Sequence, residues 1–289
     1  MRLRLSRLEW QDEHLEAWLF FTAIPFQTMF NPLKQQYKRN MKCKDSMGKS
    51  FLLIGGSSDI ARHLASLLLE DGHRVTLLAR DSDRVTDLVE QGADLVQGDA
   101  LDEAIVQNAV AHAVEQGEHG LSGMAHLVGS IALRPPHATK LEDFTAVLHT
   151  NLTSAFLALK TAGKAMLKPG TGRMVFTSSV AGSYGLTNHE AIAAAKGGIE
   201  AMVRSAASTY AQRGLRVNAV APGLTETRLG GRVLRSDAIR EASVGMIPLK
   251  RINEPLEIAQ SMHWLLTAAP DNLTGQILHL DGGMSNIRG

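Results

Sequence analysis

Cysteine is nearly absent. Cys43 is the one thiol in 289 residues, so the chain can build neither an intramolecular disulfide framework nor a multi-cysteine metal site. No metal is expected, and a chain without disulfides suits a reducing compartment such as the cytoplasm. Long apolar runs are missing too. The nearest is Ala17 to Phe30, interrupted by Thr22, Pro25, Gln27 and Thr28, and it falls short of the ~18 apolar residues of a spanning helix. No membrane association is expected. Charge of one sign is also scarce: the net charge is +1, with +4 in residues 1–50 and −3 in residues 51–289. The body therefore lacks the basic surplus of a nucleic-acid-binding surface. Tyrosine is rare, at Tyr37, Tyr184 and Tyr210 alone.

With 44% apolar and 20% charged residues, the composition is that of an ordinary globular chain. Internal repeats and low-complexity segments are absent, and the single composition break falls near residue 48. We expect an extension over residues 1–48 and one domain over 49–289. Met41 and Met47 are alternative starts, and an upstream start codon with no selected fold is the plain reading of the extension. Organellar import, a membrane-surface helix and a dimer-packing arm are the functional readings. Asp12, Glu13 and Glu16 precede the apolar run, which fits a signal or transit peptide poorly.

From Lys49 onward, short apolar runs alternate with helical periodicity. The runs are Phe51–Ile54, Val75–Ala79, Leu95–Gln97, Met124–Val128, Met174–Thr177, Val217–Val220 and Ile277–Leu280. Between them, apolar residues recur at three and four over Ile60–Leu69, Asp83–Glu90, Glu103–Glu115, Leu141–Lys168, His189–Tyr210 and Pro255–Leu266. Seven strands alternating with six helices predict an α/β fold of Rossmann type, a doubly wound parallel sheet of seven strands with helices on both faces. Ligands bind such sheets beyond the carboxyl ends of the strands, so functional residues belong just after each apolar run.

Five such places carry candidates. Gly55-Gly56-Ser57-Ser58-Asp59-Ile60-Ala61 follows the first run and opens a helix, where close backbone approach and free N–H groups suit a pyrophosphate. A structural glycine turn is the other reading. Arg80 follows the second run; an Arg there accommodates the 2′-phosphate of NADP, whereas an acidic residue holds the ribose of NAD. NADP is favoured and NAD remains possible, with Asp81 on the ribose and Arg80 as a solvated charge. Gly98-Asp99-Ala100 follows the third run, and Asp99 is either a ligand or a plain turn residue. His126 to Ser130, with Gly129, closes the fourth. Ser178 to Thr187 form a Gly-rich turn after the fifth, and a helix begins at His189 with Asn188 as its N-cap and Glu190 in its first turn.

Ser179 followed by Lys196 in this strand, turn and helix resembles the active-site segment of the short-chain dehydrogenase/reductases, which carry a Ser and then Tyr-x-x-x-Lys. Here Ile192 stands in the Tyr position. The resemblance extends over about residues 50–285: Gly55 matches the first glycine of Thr-Gly-x-x-x-Gly-x-Gly while Asp59 and Ala61 replace the others, and Val217 to Thr227 match Asn-x-x-x-Pro-Gly-x-x-x-Thr. It implies that Ser179 positions a substrate oxygen, that Lys196 holds the nicotinamide ribose, and that Asn151 helps to hold a proton-relay water. It also implies a cofactor set of Gly55, Ser57, Ser58, Ile60, Arg80, Asp99, Gly129, Lys196, Pro222, Gly223 and Thr227. Asp59 adds negative charge near phosphates and lacks the φ freedom of glycine.

The family's Tyr is the general acid/base, and isoleucine carries no proton. His189, three residues before Ile192 and with an ordinary pKa near 6.5, is the candidate acid; Tyr184 is a second, and each has a plain structural reading, as a helix-start residue and a pocket wall. The function expected is NAD(P)-dependent hydride transfer on a small carbonyl or alcohol substrate. A catalytically inactive NADP(H)-binding regulatory or scaffold protein is the alternative. By resemblance a homodimer or homotetramer forms through helices 141–168 and 189–210. Arg228, Arg232 and Arg235, in a variable lid over 224–246, either bind an anionic group or face solvent.

Overall fold

The computed structural model describes residues 48–287, apart from Arg232 and Arg235. The expectations for residues 1–47, including the apolar run and both alternative starts, lie outside the described residues, as do those for Arg232 and Arg235. Seven strands, β1 (Ser50–Ile54), β2 (Arg74–Ala79), β3 (Asp94–Gln97), β4 (Leu121–His126), β5 (Gly172–Thr177), β6 (Leu215–Pro222) and β7 (Ile277–Leu280), form one sheet in the order β3-β2-β1-β4-β5-β6-β7. Every pairing is parallel. The predicted doubly wound sheet is the observed one.

Strand alternation divides the core in two. Leu52 and Ile54 of β1, with Met174 and Phe176 of β5, face a layer that holds α3 (Glu103–Gln116), α5 (Ser154–Leu167) and α6 (Glu190–Tyr210). Phe51 and Leu53, with Val175, face α1 (Asp59–Glu70), α2 (Thr86–Glu90) and α9 (Pro255–Thr267). Because both faces are covered, the strands read as continuous apolar runs rather than alternating ones. The order reverses between β1 and β4, which opens a crevice beyond their carboxyl ends. The segment after β6 carries two short helices, α7 (Arg228–Gly231) and α8 (Asp237–Gly245).

Three departures from the expected elements bear on the site. The helix predicted over Leu141–Lys168 is α4 (Leu141–Leu148), a π turn at His149–Thr153, and α5. Side chains compete with the backbone ladder there: Asn151 Nδ2 donates to the Val147 carbonyl at 2.9 Å and Ser154 Oγ to that of Thr150 at 2.6 Å. Asn188 is not the cap of α6. It adopts φ +62°, a left-handed geometry that Asn tolerates, while His189 occupies the cap position without a side-chain capping bond. β4 runs from Leu121 to His126 rather than over Met124–Val128, so Leu127 and Val128 belong to the loop behind the crevice.

Candidate active site

At the end of β1 the Gly55 and Gly56 N–H groups both donate to the Leu78 carbonyl, at 2.9 and 3.0 Å. Gly55 has φ +90°, and a Cβ there would lie 2.8 Å from the Leu127 carbonyl carbon; only glycine fits. Ser58 then caps α1, its Oγ accepting from Ala61 N–H at 3.2 Å. The N–H groups of Asp59 and Ile60 remain as first-turn donors without an intrahelical acceptor.

Asp59 does not act as its charge suggested. It is the first residue of α1, so it needs no positive φ. Its carboxylate turns aside, accepting from Arg84 Nη2 at 2.8 Å and from the Arg228 backbone N–H at 2.7 Å, while Arg84 Nε also donates to the Ser57 carbonyl at 3.0 Å. The carboxylate is neutralised by Arg84 and ties the glycine loop to the segment after β6.

Beyond β2 and β3 the exposed Arg80 guanidinium stands 3.6 Å from Asp99 Oδ2, and Asp99 Oδ1 accepts the Leu101 N–H at 2.9 Å. Behind β4, fully buried Asn151 spans the π turn and the Gly129–Ser130 loop. Its Nδ2 donates to Ser130 Oγ at 3.0 Å and its Oδ1 accepts the Ser130 N–H at 3.3 Å. A Cβ on Gly129 would lie 3.3 Å from that Oδ1 and 3.7 Å from Lys196 Nζ. Gly129 thus leaves this part of the crevice open.

β5 and α6 supply the centre. Lys196 is 5% exposed, and Nζ donates to the Thr177 carbonyl at 2.8 Å. Burial lowers its pKa from the ordinary 10.5 to about 8. One turn earlier, Ile192 is 4% exposed and packs with Val147, Ala181, Ala191 and Ala195, a hydrocarbon surface beside the ammonium's helix turn. Ser179 Oγ accepts the Ala181 N–H at 3.2 Å, which leaves its own proton for another acceptor. His189 Nδ1 lies 2.7 Å from the Thr187 carbonyl; because a carbonyl only accepts, Nδ1 carries the proton and Nε2 is the free nitrogen. Beneath the site His126 is wholly buried, with Nε2 2.9 Å from Ser154 Oγ. Burial first, and the Lys196 charge second, depress its pKa to about 3, so it stays neutral.

At the end of β6 the Gly223 N–H donates to the Leu280 carbonyl at 2.8 Å, and Thr227 Oγ1 accepts the Gly230 N–H at 2.9 Å, starting α7. The fourteen residues expected as catalytic or cofactor-binding, Gly55, Ser57, Ser58, Ile60, Arg80, Asp99, Gly129, Asn151, Ser179, His189, Lys196, Pro222, Gly223 and Thr227, border one cleft of about 1180 Å³, whereas Asp81, the alternative ribose ligand, does not line it. That volume is slightly above the roughly 300–1,000 Å³ of common ligand pockets. Tyr184, Ile192, Arg228 and Met246 border it as well. Sequence reasoning missed the Thr177 carbonyl, Arg84 as the partner of Asp59, and the buried Glu200. Only Glu200 had a local signal, its spacing of four from Lys196. Among the described residues no group of three or more His, Cys, Asp or Glu side chains could hold a metal ion.

A long cleft with first-turn N–H donors at one wall and a buried ammonium bonded to one carbonyl at another fits a dinucleotide. A family model described as enoyl-(acyl carrier protein) reductase matches residues 55–285. Carbonyl reductase family member 4 of Danio rerio is 34% identical over 241 residues, covering 82% of this chain and 98% of its own. The 3-oxoacyl-(acyl-carrier-protein) reductase MabA of Mycobacterium bovis is 31% identical over 238 residues, 82% of this chain and 93% of its own. Among solved structures, a Beutenbergia cavernae protein assigned as an NAD(P)-dependent gluconate 5-dehydrogenase, with NADP bound at low occupancy, superimposes with a TM-score of 0.76 at 27% identity. It covers 82% of this chain and 97% of its own.

Proposed function

Given that the chain belongs to the short-chain dehydrogenase/reductase family of NAD(P)-dependent oxidoreductases, we propose that it interconverts a small to medium ketone and its secondary alcohol with NADP, and that His189 donates the proton. The observation that carries this reading is the convergence of Ser179, Lys196 and His189 on one cleft, with the imidazole anchored through Nδ1. Bound NADPH would supply the hydride that reduces the carbonyl carbon.

The chain's own residues do the rest. Gly55, Ser57, Ser58 and Ile60 would hold the diphosphate, with Thr227, Pro222 and Gly223 across the cleft. Arg80 would take the 2′-phosphate, Asp99 the adenine edge, and Lys196 the nicotinamide ribose, its ammonium having one protein acceptor in Thr177. Ser179 donates its free proton to the substrate oxygen and so stabilises the charge that develops there. As that oxygen becomes a hydroxyl, the Nε2–H bond of protonated His189 breaks and the O–H bond forms; water then reprotonates the half-buried imidazole. Asn151 holds the Ser130 loop and the π turn. Ile192 and its apolar neighbours wall this part of the cleft.

A second copy of the chain is the partner we propose, through the faces of α4, α5 and α6, where Phe156 is 52% exposed. No helix among the described residues is long and apolar enough to cross a membrane, and we propose the cytoplasm as the place of reaction. The test is NADPH oxidation by the purified full chain over a panel of ketones, with calorimetric titration of NADPH and NADH. His189→Ala should lower kcat by about 10²–10⁴ while Tyr184→Phe leaves it unchanged. An undiminished rate in His189→Ala would overturn the proton assignment, and tight NADPH binding without turnover of any substrate would point to a binding protein instead.

A further inference from the structure

We propose that Glu200 is a positioning residue whose buried carboxylate fixes the loop presenting Ser179. The proposal rests on the reading of Ser179 as the group that meets the substrate oxygen.

Glu200 lies on α6 one turn beyond Lys196, and the residue is 5% exposed. A carboxylate taken out of water is costly unless hydrogen bonds replace its hydration. Here the replacements come from the two ends of one loop. Ser178 Oγ donates to Oε1 at 2.8 Å, and Ser183 Oγ donates at 2.8 Å to Oε2 and 2.9 Å to Oε1. The nearest cation, Arg204, is 3.9 Å away and mainly exposed, so hydroxyls rather than an ion pair hold the charge.

The loop has no slack against the helix. A Cβ on Gly182 would come within 2.8 Å of Glu200 Oε1 and 3.0 Å of the Lys196 carbonyl carbon. Ser183 has a single hydroxyl proton, committed to Glu200, so His279 Nε2–H is the donor across the 3.1 Å contact to Ser183 Oγ. That bond ties the far end of the loop to β7. The near end is fixed by Ser178 N–H, which donates to the Val220 carbonyl at 2.7 Å.

Ser179 hydrogen-bonds to neither Glu200 nor His279; its Oγ accepts the Ala181 N–H. It sits between the two clamped serines with its own proton uncommitted. One face of α6 therefore steadies the strand end through the Lys196 ammonium and the loop through the Glu200 carboxylate. A clamp of this kind holds a reacting group to within the ångström that catalysis requires.

The experiment is a double-mutant cycle in the full chain, with Ser179→Ala, Glu200→Ala and the pair, alongside Glu200→Gln, whose side chain keeps the volume and one acceptor oxygen. Glu200→Ala should lower kcat by about 10²-fold through misplacement of Ser179 and leave NADPH affinity by calorimetry within about threefold. Glu200→Gln should recover most of the rate. If Glu200 acts through Ser179, adding Glu200→Ala to Ser179→Ala costs little more; full additivity would overturn the proposal. Amide exchange provides a readout independent of turnover. Glu200→Ala, or Ser183→Ala if the Glu200 variant does not fold, should speed exchange of the amides of residues 182, 183 and 184 while the sheet stays protected. Unchanged exchange there would overturn the clamp even if wild type proved inactive, whereas inactive wild type with faster loop exchange would overturn only the catalytic reading.

Discussion

Replacing Lys196 with methionine should stabilise the protein and abolish its chemistry. Burial takes the ammonium from its ordinary pKa of 10.5 to about 8, and at about 1.4 kcal/mol per unit the charge costs the folded state ~3 kcal/mol. The sign follows from proton binding. Below pH 8 both states hold the proton and the whole cost is present. Between about 8 and 10.5 the folded state releases its proton while the unfolded state keeps it, so stability rises with pH; above that range the cost has gone. Methionine removes the charge at similar length and leaves the Thr177 carbonyl without its 2.8 Å donor, a loss of ~1 kcal/mol. The net gain at pH 7 is roughly 2 kcal/mol. Urea unfolding of Lys196→Met and wild type, without NADP(H) because bound ligand would stabilise wild type, should show the variant's midpoint higher at pH 7 with an unchanged m-value. By about pH 9.5 the gap should approach zero. A variant less stable at pH 7, or a gap constant with pH, would refute the reasoning.

Two further perturbations act on the glycine loop. Gly55→Ala forces a side chain into φ +90° and against the Leu127 backbone at 2.8 Å; strain and overlap together should cost roughly 3 kcal/mol, read from the urea midpoint, and should weaken NADPH binding. Asp59→Gly removes a carboxylate from the first turn of α1 and frees Arg84, held at 2.8 Å. NADPH should bind about fivefold tighter, equivalent to ~1 kcal/mol, and limited proteolysis should cut faster near Arg228, whose N–H loses its 2.7 Å acceptor; weaker NADPH binding would refute the charge argument.

The sheet was legible because strands buried on both faces leave short apolar runs, as Phe51–Ile54 and Val175–Phe176 do. β4 was displaced because its first half, Leu121-Ser122-Gly123, has small residues where packing needs them and no apolar run to mark it. Periodicity does not reveal the π turn, since the apolar face continues through it and only the polar Asn151 and Ser154 mark competition with the backbone. Asn188 takes a left-handed turn rather than the cap of α6 because Asn suits both, and local sequence does not separate them. Asp59 looked like a liability for a related reason: its partner Arg84 is 25 positions away. A helical Glu usually faces water, so residue type alone does not mark Glu200 as buried.

Ile192, Lys196 and Glu200 follow one another at intervals of four on α6, so one stripe of the helix presents a hydrocarbon, an ammonium and a carboxylate. The three positions are physically linked. A hydroxyl at residue 192 would give the cleft a polar group one turn from the ammonium; the isoleucine instead joins an apolar cluster, and the ammonium is left with the Thr177 carbonyl and the protein interior. Burial thus disfavours the Lys196 charge and brings its pKa to about 8, near the physiological range. Glu200, bonded to serine hydroxyls rather than to that ammonium, leaves the Lys196 charge uncompensated by an ion pair. A dinucleotide entering the cleft would meet a cation whose hydrogen-bonding capacity is largely unspent.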